Sequence, residues 1–137
     1  MKVIADTGLL VALARENDQY HDWAAEIAER ISWPVLTCEA VLAETAFHLQ
    51  SSHEVLGMLR DHVVRVAFDC GSEIEQVFAL AVRYADRNPD LADVCLIRMS
   101  ELYPRHQVVT TDEDDFRVYR RNKREAIPLL TPPKMKK

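Results

Sequence analysis

An α/β domain, a three-layer α/β/α sandwich with a mostly parallel sheet of four to five strands, is the fold this sequence predicts. Two observations carry the prediction. Strand-length apolar runs ("KVIAD", "WPVLTC", "VVRVAF", "QVVTT") alternate with longer segments whose apolar residues keep helical spacing. Strands separated by helices pair in parallel through crossovers, which lay those helices on the two faces of the sheet. The chain has 137 residues, 48% of them hydrophobic, enough for one continuous core and too short for a second domain.

The elements follow in order. "KVIAD" is an apolar run ending in a carboxylate, Asp6, and Leu9 to Ala14 open the helix behind it. In "DQYHDWAAEIAERI", Trp23, Ile27 and Ile31 fall at i, i+4 and i+8, a helical stripe starting behind the capping residue Asp18. "WPVLTC" is the second strand, with Pro34 at its edge. From Glu39, the residues Ala40, Val41, Ala43, Phe47 and Leu49 predict a helix, and a shorter one runs from about His53 to Arg60. "VVRVAF" is the third strand. A helix rich in Ala and Val, about Glu73 to Tyr84, leads to "DRNPD", where Pro89 ends one helix and Asp90 caps the next, "LADVCLIRMSELY". "QVVTT" is the fourth strand and "AIPLL" a weaker fifth. Residues 1–132 then form a single domain, and residues 133–137 a flexible basic tail.

The formal charge of −5 disfavours nonspecific attraction to nucleic acid by the molecule as a whole, so a polyanion has to meet a local basic patch. Cys38, Cys70 and Cys95 are odd in number and scattered, without CxxC spacing. They read as small buried apolar residues of a reducing compartment, not as metal ligands. The longest apolar run, "GLLVALA", is far too short to span a bilayer, and Asp6 falls where a signal peptide is apolar. The expected location is the cytoplasm, away from membranes.

The stretch "QVVTTDEDDFRVYRR" places Asp112, Glu113, Asp114 and Asp115 directly behind a strand. Like charges this close oppose the compact state unless something neutralises them. In open α/β sheets ligands bind beyond the carboxyl ends of the strands. Asp6 ends strand one, Asp69 strand three and Asp112 strand four. Glu44 in "AVLAETAF" and Asp93 in "DLADVCLI" interrupt apolar helices, where a carboxylate is costly unless paired or bound. Each acid alone has a structural explanation: helix caps for Asp6 and Asp112, a favourable helix dipole for Asp93, an arginine partner for Glu44. As a set, carboxylates from separate elements match the oxygen ligation of a hard cation, Mg2+ or Mn2+.

"VIADTGLLVAL", "AVLAE", "DLADVCLI" and "VVTTDEDDFRVYR" resemble, in their order, the four acidic motifs of the PIN-domain nucleases, over nearly the whole chain from Val3 to about Pro132. The resemblance assigns Asp6 with Thr7 to the first motif, Glu44 to the second, Asp93 to the third and Asp112 to the fourth, with Asp115 an auxiliary acid before Phe116. It implies that Asp6, Glu44, Asp93 and Asp112 are catalytic, that these four and Asp115 hold Mg2+ or Mn2+, and that Thr7 positions water. Many small bacterial members are toxins of the VapC type, ribonucleases held inactive by an antitoxin, and such members are commonly dimers. The resemblance therefore implies a metal-dependent endoribonuclease, the toxin of a toxin–antitoxin pair, with RNA as substrate, a cognate antitoxin as partner and a homodimer as the working form. Two departures stand out. Gly8 occupies a position where many members carry serine or asparagine, and "DEDD" leaves the fourth acid open among Asp112, Asp114 and Asp115, with Asp112 preferred because it follows the strand immediately.

An acidic pocket repels RNA, and "RVYRRNKR" offers compensating charge: Arg117, Arg120 and Arg121, with Tyr119 to stack on a base, against the plainer reading of a solvated helix end. The five histidines show no catalytic pattern; His48 and His53 are expected on helix surfaces. Two other readings compete. In a phosphoacceptor receiver domain, Asp69 would take the phosphoryl group beside Thr110 or Thr111, with Lys134 as the cation; this leaves Glu44 and Asp93 without a role. A catalytically silent module keeping the PIN fold is the other.

Overall fold

The computed structural model describes residues 1–134. Five strands, β1 (Val3–Ala5), β2 (Val35–Thr37), β3 (Val64–Val66), β4 (Gln107–Val109) and β7 (Leu129–Leu130), form one wholly parallel sheet in the order β3-β2-β1-β4-β7. Ile4 is the middle of the register, opposite Leu36 on one side and Val108 on the other. Every residue of β1 and β2 is buried, because helices cover both faces, whereas the edge strand β3 buries Val64 and exposes Arg65.

The crossovers are helical. α1 (Thr7–Ala14) and α2 (His21–Ala28) join β1 to β2, and α3 (Glu39–Leu49) and α4 (Ser52–Arg60) join β2 to β3. α5 (Ile74–Arg83), a 3-10 turn (Ala85–Arg87) and α6 (Leu91–Leu102) then return the chain to β4. α6 is the central helix, with residues 92–97 all buried. Beyond β4 comes α7 (Glu113–Val118), then an antiparallel ribbon of β5 (Arg120–Arg121) and β6 (Glu125–Ala126).

The strand order places the site. The chain steps from β1 to β2 to β3 on one side, then crosses to β4 and β7 on the other. The connections leaving β1 and β4 therefore diverge and open a crevice at their carboxyl ends. The Asp6 N–H donates to the Val109 carbonyl at 3.0 Å, so the β1–β4 pairing runs one residue past β1 and ties Asp6 to the lip of that crevice.

The three-layer parallel fold is as the sequence predicts; some details differ. α2 begins at His21, because the Asp18 carboxylate accepts the Tyr20 N–H at 2.8 Å and closes a turn there, leaving Tyr20 at the capping position. Of "AIPLL", only Leu129 and Leu130 extend the sheet, since Ala126 pairs with Arg120 in the ribbon. The ribbon turns through Asn122 and Lys123, both at positive φ (49° and 69°), which no apolar pattern announces. Of the expected tail, Pro133 and Lys134 are exposed, and 135–137 lie outside the described residues.

Candidate active site

Asp6 is the N-cap of α1, with one carboxylate oxygen accepting the Thr7 N–H at 2.7 Å and the other the Thr110 hydroxyl at 2.6 Å. The Thr7 hydroxyl turns the other way and donates to Glu44 on α3 at 2.9 Å. Thr110, at the end of β4, also accepts the Asp112 N–H at 2.9 Å. A continuous chain of hydrogen bonds thus runs Glu44–Thr7–Asp6–Thr110–Asp112 and fixes three acids from three elements. Asp93 enters from α6. Its N–H is held by the cap Asp90 at 2.9 Å, and its carboxylate accepts the Tyr119 hydroxyl at 2.9 Å. Asp112 caps α7 through the Asp115 N–H, and one oxygen from each of Asp93, Asp112 and Asp115 lies within 4.8 Å of the others. Asp6, Glu44, Asp93 and Asp112 line one cleft of about 330 Å3.

The electrostatics of this cluster are those of acids lacking a counter-charge. Burial first, then the negative charges of Glu44 and Asp112, push the Asp6 carboxyl up to about 6 despite its bonds from Thr110 and Thr7. Asp93 is pushed up to about 8, again by burial first and then by Asp90, Asp6 and Asp112, with the Tyr119 hydroxyl pulling the other way. Asp112 is raised as well, chiefly by burial. Asp115 is the one metal-site candidate with an ion-pair partner among the described residues, Arg87 at 2.9 Å.

A model of the PIN domain matches residues 3–122. This chain belongs to the PIN-domain family. Among solved structures, the PIN domain resembles the crystal structure of Mycobacterium tuberculosis VapC20, a sarcin-ricin loop cleaving toxin, with TM-score 0.72 and 21% identity over 82% of this chain and 92% of that one. No match was found among curated proteins.

The receiver alternative fails on topology. A receiver sheet of order 2-1-3-4-5 sets strand three beside strand one, whereas here β2 separates β3 from β1. Asp69 is exposed at the outer edge, its carboxylate taken by the Ser72 N–H and hydroxyl at 3.3 and 2.8 Å.

The basic stretch behind the fourth acid is mostly structural, which corrects two sequence expectations. Tyr119 is 1% exposed, its ring edge-on to Tyr84 and Phe116, so it has no face for a base; its role in this PIN domain is to hold Asp93. The Arg121 side chain is 12% exposed and donates to the carbonyls of Ser100 and Pro104 and to Glu125, anchoring the ribbon to α6. Arg120 spends one guanidinium nitrogen on the carbonyls of Arg117 and Tyr119. Arg117 still faces solvent, 62% exposed beside Glu113.

Gly8 has a local cause. A Cβ there would stand 2.1 Å from the Thr111 hydroxyl oxygen, so Thr111 fills the space a larger residue 8 needs. Sequence reasoning missed the roles of Thr110 and Tyr119 around the acids and of Tyr20 and His48 in the cleft lining. His48 had a usable signal: it lies four residues after Glu44, on the same face of one helix.

Proposed function

We propose that this PIN domain is a divalent-metal-dependent endoribonuclease, the toxin of a toxin–antitoxin pair, acting as a homodimer in the cytoplasm. The observation that carries the nuclease reading is the convergence of Asp93, Asp112 and Asp115 to within 4.8 Å, with Asp93 and Asp112 lining one cleft together with Asp6 and Glu44. The residues fit Mg2+ or Mn2+. All the donors are carboxylate oxygens, and burial first, then neighbouring carboxylates, raise Asp6 and Asp93, a penalty on the charged form that a bound cation would relieve. Asp93, Asp112 and Asp115, with Asp6 and Glu44 in the adjoining cleft, would hold the ion. A bound divalent ion supplies Lewis-acid stabilisation of the phosphate and a water of lowered pKa.

The chain's own residues do the rest. Tyr119 and Asp90 fix the position of Asp93, and Thr110 fixes Asp6 against Asp112. Thr7, shared between Asp6 and Glu44, presents its hydroxyl at the cleft, where it is set to orient water. RNA meets Arg117 and Arg120 at the α7 end; the half-buried Tyr20, which lines the cleft, replaces Tyr119 as the ring available to a base. The likeness to a sarcin-ricin loop cleaving toxin supports the choice of substrate and the toxin role. Exposed Phe47 and Leu56 on α3 and α4, and Ile74, Phe78 and Val82 along α5, supply apolar surface for association. No helix among the described residues is long and apolar enough to cross a membrane.

The test is cleavage of a synthetic structured RNA by purified protein. Activity should require Mg2+ or Mn2+, stop with chelator and vanish in Asp112→Asn. Equal activity in excess chelator and in that variant would overturn the proposal.

A further inference from the structure

The three cysteines, scattered in sequence, meet in space. Cys38, Cys70 and Cys95 line one pocket of about 160 Å3 together with Phe68, Leu91 and Glu39, none of which lines the acidic cleft. All three are free thiols; Cys38 and Cys95 are buried and Cys70 half-buried. Cys38 is the residue before α3, at the positive end of an 11-residue helix. Its sulfur makes no capping hydrogen bond, and it shares this small pocket with the Cys95 thiol. Cys95 lines the same pocket from α6. A sulfur at a helix N-terminus beside a thiol donor is the setting that favours a nucleophilic thiolate. In accord with it, the Cys38 thiol is held below its ordinary range, first by Cys95, then by the backbone N–H groups of Val41 and Ala40, against the opposing effects of burial and of Asp6.

We propose that Cys38 and Cys95 form a reversible disulfide when the protein meets a peroxide, and that this bridge weakens the metal site. The chemistry balances. The Cys38 thiolate attacks one oxygen of hydrogen peroxide, the O–O bond breaks, and with one proton the products are a Cys38 sulfenic acid and water. The Cys95 thiol then attacks the sulfenic sulfur, the S–O bond breaks and a second water leaves. Two thiols lose two electrons, and the peroxide gains them. A pocket open beside the half-buried Cys70 admits so small an oxidant. The consequence follows from chain position. Cys95 is two residues beyond Asp93 on the buried helix α6, and Cys38 is six residues before Glu44 on α3. A disulfide brings its sulfurs to about 2.0 Å, closer than two thiols in contact. The pull is delivered to a close-packed helix at a point within one turn of Asp93. The coupling half of the proposal rests on the metal reading above; the bridge itself does not.

The full chain, reduced and then treated with stoichiometric hydrogen peroxide, is digested without reductant and mapped by mass spectrometry. The expected product is a Cys38–Cys95 linked peptide, two free thiols fewer by titration, and full recovery with dithiothreitol. Cys70→Ser should bridge as wild type does, and Cys38→Ser should not bridge. Serine is a favoured capping residue, so the second variant keeps α3. Three retained thiols, a Cys70–Cys95 link, or only irreversible sulfinic acid would overturn the bridge. The thermal shift produced by Mn2+ should be smaller in the oxidised than in the reduced protein, and an equal shift refutes the coupling. If the reduced protein shows no shift with Mn2+, the metal reading fails, and peptide mapping still decides the bridge.

Discussion

Replacing Asp93 by asparagine separates a metal site from a set of helix-stabilising carboxylates. The side chain changes little in shape, and the asparagine carbonyl still accepts the Tyr119 hydroxyl that Asp93 accepts at 2.9 Å. What disappears is a charge in a residue only 8% exposed. Without metal, the folded-state carboxyl titrates near 8 against an ordinary 3.8. The folded chain therefore binds more protons than the unfolded chain between those values. Stability from this group is full below about pH 4 and is lost as pH rises through the folded value. Each unit of pH in that window removes up to ~1.4 kcal/mol. Between pH 6 and 8 the limit is about 3 kcal/mol, and the water-filled cleft screens this to roughly half. In chelator, the stability of Asp93→Asn relative to wild type should rise by roughly 1–2 kcal/mol from pH 6 to pH 8, while histidine titrations cancel in the difference. Manganese at 100 times its dissociation constant should stabilise wild type by ~2.7 kcal/mol, and most of that gain should vanish in the variant. Urea denaturation of both proteins, with and without metal at the two pH values, provides the measurements. A variant less stable than wild type in chelator at pH 8, together with a wild type indifferent to manganese, would refute the metal site.

Four further outcomes are expected. Tyr119→Phe removes the hydroxyl that fixes Asp93 and should cost about 1 kcal/mol in denaturation while lowering turnover more than it raises KM; unchanged turnover would show that Asp93 needs no support. Gly8→Ser should destabilise by roughly 1–3 kcal/mol through its clash with Thr111, and adding Thr111→Ala should recover most of the loss, read by the denaturation midpoint. Arg117→Ala should raise KM for RNA and flatten its salt dependence with the fold intact, whereas Arg121→Ala should lower the melting temperature by detaching the ribbon; equal KM effects from both would restore the basic-patch reading. Sedimentation at micromolar concentration should give a dimer that Phe47→Asp weakens, since Phe47 is 79% exposed, and a monomeric wild type would remove the claim.

The sequence by itself determined the strands of the parallel sheet, the helices between them and most of the acids, but not the β5–β6 ribbon. Short apolar runs and period-3.6 patterns are local, so "KVIAD" and "QVVTT" identify strands, and Asp90 is recognisable as a cap because the residues it serves are its immediate neighbours. Asp6 and Asp112 are legible because a parallel sheet binds at its carboxyl ends, wherever its strands stand in the order. What only the tertiary structure decided is partnership across distance. Thr110 reaches Asp6 across 104 residues of sequence and Tyr119 reaches Asp93 across 26, and no spacing rule connects residues so far apart. The same holds for the strand order that excludes Asp69, for Arg121 turning inward, and for three cysteines gathered into one pocket. Hydrophobic pattern specifies which face of an element is buried. The partner it is buried against follows from the packing of all the elements at once, because a close-packed interior leaves each side chain only the space its neighbours do not fill.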